Sequence, residues 1–279
     1  MRTRSEGNMT IRELNYSGTN TYLIEGDGGR LLFDTGWAGT FHDFCSAVGE
    51  LDIPVQGIDY ILISHFHPDH MGIAQQIADM GPVIVVADVQ KDRIHDSDCI
   101  FEKESGSDFK PIDDTGVIFI DIAGSRDFLA RIGISGQIMH TPGHSDDSIS
   151  LCLDNGELFV GDLNPLYELE LHTNTQIADS WEKLLDLKPK VIYYGHAKPA
   201  YPDDDKPDVT DKKDGYRLVS KIIRYIDRDV SLENISKKTG ADRSFIEDVA
   251  RMYLTHRNIG VQGILDRIEL KRGSIYGKD

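Results

Sequence analysis

The chain has 279 residues, 39% of them hydrophobic and 28% charged, a globular mix long enough to bury a sizeable core. Its net charge of −17 argues against a broadly basic nucleic-acid surface. No apolar run approaches the ~20 residues of a membrane helix. Met1 to Thr10 carries Arg2 and Arg4 without the apolar stretch of a secretory signal, and three widely spaced cysteines (Cys45, Cys99, Cys152) point to reduced thiols in a cytoplasmic protein.

Thr21-Tyr22-Leu23-Ile24 and Leu31-Leu32-Phe33 flank Asp27-Gly28-Gly29, two apolar runs around a Gly-rich turn, which predicts a hairpin ending at Asp34-Thr35-Gly36. Phe44, Val48 and Leu51 give the stretch from Phe41 to Leu51 a helical spacing. Ile58 to Ile63 predicts a buried strand. Gly72 to Met80 predicts a helix with Ile73 and Ile77 on one face, and Pro82 to Val86 another buried strand. Lys91 to Asp114 is polar and poorly periodic, as expected of a surface excursion. Val117 to Ile122 and Gly136 to Met139 predict strands. Ile149 to Leu153 and Leu158 to Val160 flank Asp154-Asn155-Gly156, a strong hairpin signal. Asp179 to Leu187 has helical spacing, and Val191 to Tyr194 predicts a last strand. Hairpins followed by strands alternating with helices indicate an α/β or α+β chain with layered sheets.

The charge is uneven. Residues 1–210 hold 15 basic and 36 acidic residues, a net of −21, and residues 211–279 hold 15 and 11, a net of +4. Between them the stretch from Pro202 to Gly215 is rich in Asp, Lys and Pro. The expected division is a domain over 1–205, a linker over 206–215 and a helical module over 216–279. In that module Leu218, Val219, Ile222, Ile223 and Ile226 mark one helix face. Ser231 is placed to cap a second helix and Gly240 to end it, Phe245, Ile246, Val249 and Tyr253 mark a third, and Ile264, Leu265 and Ile268 a fourth. The run from Leu232 to Ile246 resembles a helix-turn-helix, yet its second helix carries Glu247 and Asp248. Packing or homodimerisation is therefore the expected role, roofing of the active site is a further option, and nucleic-acid reading is disfavoured.

The chemistry concentrates at His65-Phe66-His67-Pro68-Asp69-His70, directly after a predicted strand. Four metal-ligand side chains within six residues have no advantage for a core. Imidazole and carboxylate suit zinc, manganese or iron. His144, Asp162 and His196 each follow a Gly, where backbone can turn sharply and approach a site. Seven ligands exceed one tetrahedral ion and match two ions sharing a carboxylate. Tyr167 and Tyr194 are weaker candidates for contacts to substrate oxygen. Asp34 and His140 are candidate partners of a ligand histidine, while His42, His95, His172 and His256 read as surface or packing residues.

This ordered set, His65, His67, Asp69, His70, His144, Asp162 and His196, resembles the metallo-β-lactamase superfamily, over about residues 14 to 200. The runs Asn20 to Ile24 and Leu32 to Gly36 are similar to the family's opening hairpin. The resemblance implies a four-layer αββα sandwich carrying, here, the small C-terminal helical module. It also implies a dinuclear hydrolase with two divalent ions, zinc foremost, iron and manganese as alternatives. His65, His67 and His144 would take one ion, Asp69, His70 and His196 the other, and Asp162 both. A metal-bridging hydroxide would attack an ester, thioester, lactone or phosphodiester of a small-molecule substrate, with Asp69 as the catalytic residue that orients the nucleophile or passes its proton onward. Asp162 stands where β-lactamases of this fold commonly have Cys, His67 where the flavin-linked di-iron reductases have an acid, and Met71-Gly72-Ile73 keeps one Gly where hydroxyacylglutathione hydrolases show two. Those three activities are therefore disfavoured. The alternatives are a mononuclear iron persulfide dioxygenase, or a metal-loaded regulatory protein acting through its C-terminal module.

Overall fold

The computed structural model describes residues 3–6, 9–102, 108–166, 169, 175–202, 209–228, 230–241, 243–255 and 264. The chain divides into two compact units, Met1–Pro202 and Asp203–Asp279.

The first unit is built on two sheets. Seven strands form one in sequence order: β1 (Thr3–Glu6), β2 (Met9–Leu14), β3 (Thr21–Gly26), β4 (Gly29–Phe33), β5 (Tyr60–Leu62), β6 (Val83–Ala87) and β7 (Ile118–Ile120). Pairing is antiparallel from β1 to β4, and parallel from β4 to β7. The other sheet runs in the order β11 (Val191–Tyr193), β10 (Glu157–Phe159), β9 (Ile149–Leu153) and β8 (Gly136–His140), with only β10 and β11 parallel.

Side chains alternate across a strand, so each sheet has two faces to cover. Ile24, Leu31, Phe33, Leu62 and Val85 of the larger sheet meet Ile138, Leu151, Phe159 and Tyr193 of the smaller one in a shared core. Leu23, Leu32, Ile61, Ile84 and Val86 point the other way, against Phe44 and Val48 of α1 (Phe41–Gly49) and Ile77 of a helix after the motif. On the far face of the smaller sheet, Cys152, Leu158, Val160 and Ile192 pack with Ile177, Trp181 and Leu184 of a helix over Gln176–Leu185. Helix, sheet, sheet, helix is the expected four-layer sandwich. The Trp181 side chain is fully enclosed, and its indole N–H donates to the Asn164 carbonyl at 2.7 Å. Truncating such a residue typically costs about 3–5 kcal/mol.

The predicted hairpins form as β3–β4 and β9–β10. Two differences have physical reasons. Strands β1 and β2 are not legible in the sequence, because β2 buries only Ile11 and Leu14 and keeps a polar, half-open face. The polar stretch from Lys91 to Asp114 is no free excursion: Ile94, Phe101 and Ile112 are buried in the core beside α1. Widely spaced apolar anchors carry no period, yet pin a loop. Ser97 helps by donating to the Phe66 carbonyl at 2.5 Å.

In the second unit, the expected linker over 206–215 is helical from Val209 onward. Its helices run over Val209–Ile226, Leu232–Thr239 and Arg243–Thr255. They share a small core of Val219, Ile222, Ile235, Phe245, Ile246, Val249 and Ile264. Gly240 ends the middle helix in the left-handed region (φ 73°), and its N–H donates to Ser236 O at 2.8 Å. Ser231 holds the N-cap position with extended backbone but makes no side-chain cap bond. Leu265 and Ile268 of the fourth predicted helix lie outside the described residues.

Candidate metal centre

The ligands sit where strand ends converge. β5 delivers Ser64 and His65, and His67 occupies the N-cap position of α2 (Pro68–Met71), with Pro68 in the first turn, where its missing N–H costs no hydrogen bond. That single turn presents Asp69 and His70. It is fastened from outside: Thr35 donates through N–H and Oγ1 to the His70 carbonyl at 2.8 and 2.9 Å, and Thr19 Oγ1 donates to the Asp69 carbonyl at 2.7 Å. Asp162 follows β10 and His196 follows β11. Gly161 adopts φ 55°, and a Cβ there would lie 2.5 Å from Ser64 Oγ. A Cβ on Gly195 would lie 2.5 Å from Asp162 Oδ1 and 2.8 Å from His70 Cε1. Glycine is what lets these two loops close on the motif.

All seven sequence-predicted ligands meet, in two groups. His65, His67 and His144 form one; Asp69, His70, Asp162 and His196 form the other. In the first, His65 Nε2 and His144 Nε2 lie 2.9 and 3.0 Å from His67 Nδ1. In the second, His196 Nε2 lies 2.8 Å from Asp69 Oδ2. Asp162 reaches both groups, with Oδ2 at 3.6 Å from His144 Nε2 and 3.4 Å from His196 Nε2, and Oδ1 at 3.3 Å from His70 Nε2.

The electrostatics favour a cation. Burial and the neighbouring imidazoles hold His65 and His67 below the ordinary histidine value, and burial lowers His144 to about 4. The nitrogens of these three are therefore neutral, as ligands must be, whereas His70, despite its burial, is held above the ordinary value by Asp162, Asp34 and Asp69, so an ion bound there displaces a proton. Burial raises the proton affinity of Asp69, but His70 and His196 outweigh it and keep the acid ionised. His196 and His70 do the same for Asp162. His70 Nε2 and both Asp162 oxygens are buried without a hydrogen-bond partner among the described residues. Three such orphans cost about 1–3 kcal/mol each. A pair of divalent cations among them would satisfy every one, so the donor set fits two ions.

Tautomers are set from behind. His70 Nδ1 faces Asp34 Oδ2 at 2.8 Å, His65 Nδ1 faces Ser64 Oγ at 3.0 Å, and His196 Nδ1 faces the Gly18 carbonyl at 3.1 Å, which turns each Nε2 inward. Asp34 is thus the expected partner of a ligand. His140 is not: its Nε2 bonds the Asp146 carbonyl at 2.7 Å inside its own loop. His95 is exposed, between Asp98 and Asp114. Tyr194, expected at substrate oxygen, is only 3% exposed and packs beside Trp181, so it belongs to the core rather than to a substrate surface. Tyr167, His172 and His256 lie outside the described residues. Sequence reasoning missed Ser64 and the side chain of Asn20, whose amide donates to the Tyr194 and Ala197 carbonyls at 2.9 and 3.0 Å and so holds the His196 loop. A polar residue at the very edge of an apolar strand was the available signal for both.

Known proteins resemble this chain in sequence and in fold. The family model of the metallo-beta-lactamase superfamily matches residues 14–196. The chain is 29% identical over 189 residues to a beta-lactamase-like protein 2 homolog of Drosophila melanogaster, covering 64% of this chain and 58% of that one. It is 28% identical over 151 residues to an atrochrysone carboxyl ACP thioesterase of Emericella nidulans, covering 52% and 40%. The chain therefore spans about three fifths or less of the length of these curated relatives. A crystal structure of a metallo-beta-lactamase family protein from Thermus thermophilus covers 95% of this chain and 94% of its own at TM-score 0.55 and 18% identity, a likeness of fold. With the αββα sandwich, the seven converging ligands and a family match spanning all of them, the chain belongs to the metallo-beta-lactamase superfamily.

Proposed function

We propose that this protein is a dinuclear metal-dependent hydrolase of small ester-type substrates, with acyl thioesters first among ester, thioester, lactone and phosphodiester. The observation that carries this reading is the sharing of Asp162 between the two ligand groups. His65, His67 and His144 would hold one ion, and Asp69, His70 and His196 the other. When bound, two such ions supply a water of lowered pKa and a Lewis acid for the scissile oxygen. Zinc suits the nitrogen-rich donors best, with iron and manganese as competitors.

The chain's own groups divide the remaining work. The Asp162 side chain is 3% exposed and the Asp69 side chain 19%. Asp69 is therefore the acid that water and substrate reach, and His196 fixes one of its oxygens. Held ionised by His70 and His196, it is a weak base placed to orient a nucleophilic water or pass its proton onward. The thioester preference rests on the thioesterase named among the relatives. Three free cysteines, Cys45, Cys99 and Cys152, accord with a cytoplasmic setting, and no described helix is long and apolar enough to cross a membrane. For the C-terminal module we favour packing or homodimerisation over nucleic-acid binding, because Arg243 at the start of its third helix is ion-paired with Glu247 at 2.8 Å.

The test is metal analysis of the full chain together with a hydrolysis panel of an acyl-pantetheine thioester, an aryl ester, a lactone and a phosphodiester. Two ions per chain with metal-dependent turnover, fastest on the thioester, is the expected result. A chain that holds two ions and turns over none of the four overturns the hydrolase reading.

A further inference from the structure

Two loops from different sheets supply the three-histidine group, and no strand ladder connects the ligand-bearing residues themselves. His65 and His67 flank Phe66, while His144 lies in the connection between β8 and β9. Asp147, in that same connection and 5% exposed, places its carboxylate Oδ2 at 2.8 Å from the Phe66 N–H, 81 residues away in sequence. The Phe66 carbonyl accepts from Ser97 Oγ, so the peptides on both sides of Phe66, between the two ligands, are each held. The Gln90 side chain is fully enclosed behind this contact. Its Nε2 lies 3.2 Å from the Asp147 carbonyl, 3.0 Å from the Ile63 carbonyl and 3.4 Å from the Ser64 carbonyl, and its Oε1 accepts the Ala87 N–H at 3.2 Å. One amide thus ties the end of β6, the end of β5 and the His144 loop together.

The charge distribution adds a second argument. The group of Asp69, His70, Asp162 and His196 contains two carboxylates, whereas His65, His67 and His144 bring none of their own. Asp147 places a carboxylate directly behind that group, joined to it through the His65–Phe66 peptide. Groups behind a metal ligand typically alter metal affinity by about 10- to 100-fold.

We propose that Asp147, braced by Gln90, is a positioning residue that sets the spacing of His65 and His67 against His144 and biases that group towards a divalent cation. This rests on the dinuclear reading of the site. Its function is separable from folding, because Asp147→Asn keeps a carbonyl oxygen to accept the Phe66 N–H but removes the charge. Asp147→Ala leaves that buried N–H without an acceptor.

Stepwise cobalt(II) titration of the metal-free full chain tests this, read by visible absorption and by chelator competition, alongside thermal unfolding. For Asp147→Asn the expected result is an unchanged metal-free Tm with one of the two binding steps weakened about 10-fold or more and the other unaltered. Gln90→Ala should weaken the same step. Asp147→Ala should weaken it further and lower the Tm. If wild type binds two ions and Asp147→Asn matches it at both steps, or weakens both equally, this proposal is overturned while the dinuclear reading stands. A wild-type chain that binds fewer than two ions overturns both.

Discussion

Asp34 Oδ2 lies 2.8 Å from His70 Nδ1, with both side chains closed to solvent, and Asp34 holds a left-handed backbone at φ 62°. The same carboxylate accepts from Ser64 N–H at 2.7 Å and Ser64 Oγ at 2.9 Å. One strained residue thus orients a ligand and anchors the strand end that bears another. Left-handed backbone is tolerated by Asn and costs roughly 1–2 kcal/mol for most other residues. Asp34→Asn should keep the fold and reduce metal affinity by about 10-fold or more. Asp34→Ala should also lower stability by about 2–4 kcal/mol, combining strain with a buried Ser64 N–H left unpaired. Denaturant midpoints and metal content check this. Equal stability of the two variants would refute the account of strain and lost acceptor.

Asp162 is shared between the ligand groups, so its removal should not cost one ion alone. In Asp162→Ala the carboxylate that offsets repulsion between two cations is gone. Metal analysis after dialysis should show both occupancies reduced and turnover lost. Two tightly held ions with full activity would show that the residue is no bridge.

Gly195→Ala offers a local test of how tightly the site is closed. The new methyl would lie 2.5 Å from Asp162 Oδ1 and 2.8 Å from His70 Cε1, closer than real contacts allow. Turnover should fall by at least ~10-fold from sub-ångström displacement of the ligands, and the Tm should fall as well, because overpacking costs about 1–3 kcal/mol. Wild-type kinetics in this variant would contradict the placement of Gly195 against Asp162.

Acid stability should depend on Glu25 in β3. Partial burial raises its pKa, but Arg30 and Arg12 at 2.8 and 2.6 Å outweigh this and hold it below the usual value. A carboxyl depressed on folding contributes stability that is complete above its unfolded value of about 4.3 and is lost as pH falls through the lower folded value. Glu25→Gln should therefore cost about 1 kcal/mol at pH 7, with the difference from wild type shrinking towards pH 3. Thermal unfolding across that range measures it, and a gap that widens in acid would reverse the sign.

Cysteine labelling reports on the layers. Burial pushes the Cys152 thiol up to about 12, and Cys99 is exposed. At pH 8 an alkylating reagent should modify Cys99 in the native chain and leave Cys152 untouched until unfolding. Mass spectrometry of timed samples decides, and early modification of Cys152 would place it outside the core between the smaller sheet and its helix.

By itself, the sequence determined the set of candidate ligands and the order of most strands. Four ligands in six residues, and three more each behind a glycine, are local patterns that the chemistry imposes on neighbouring positions. The hairpins announced themselves in the same way, through apolar runs around Gly-rich turns. Tertiary structure alone decided what stands behind the ligands. The pairing of Asp147 with Phe66, the enclosure of Gln90 and the hold of Asn20 on the His196 loop join residues far apart in the chain, and a hydrogen bond across a fold leaves no period to read. It also decided that Tyr194 lies in the core, since an aromatic residue after a strand looks alike whether it faces a helix or a substrate. Isolated anchors such as Phe101 and Ile112 likewise gain meaning only from the core they enter, because burial is a property of the assembled layers and not of the residue.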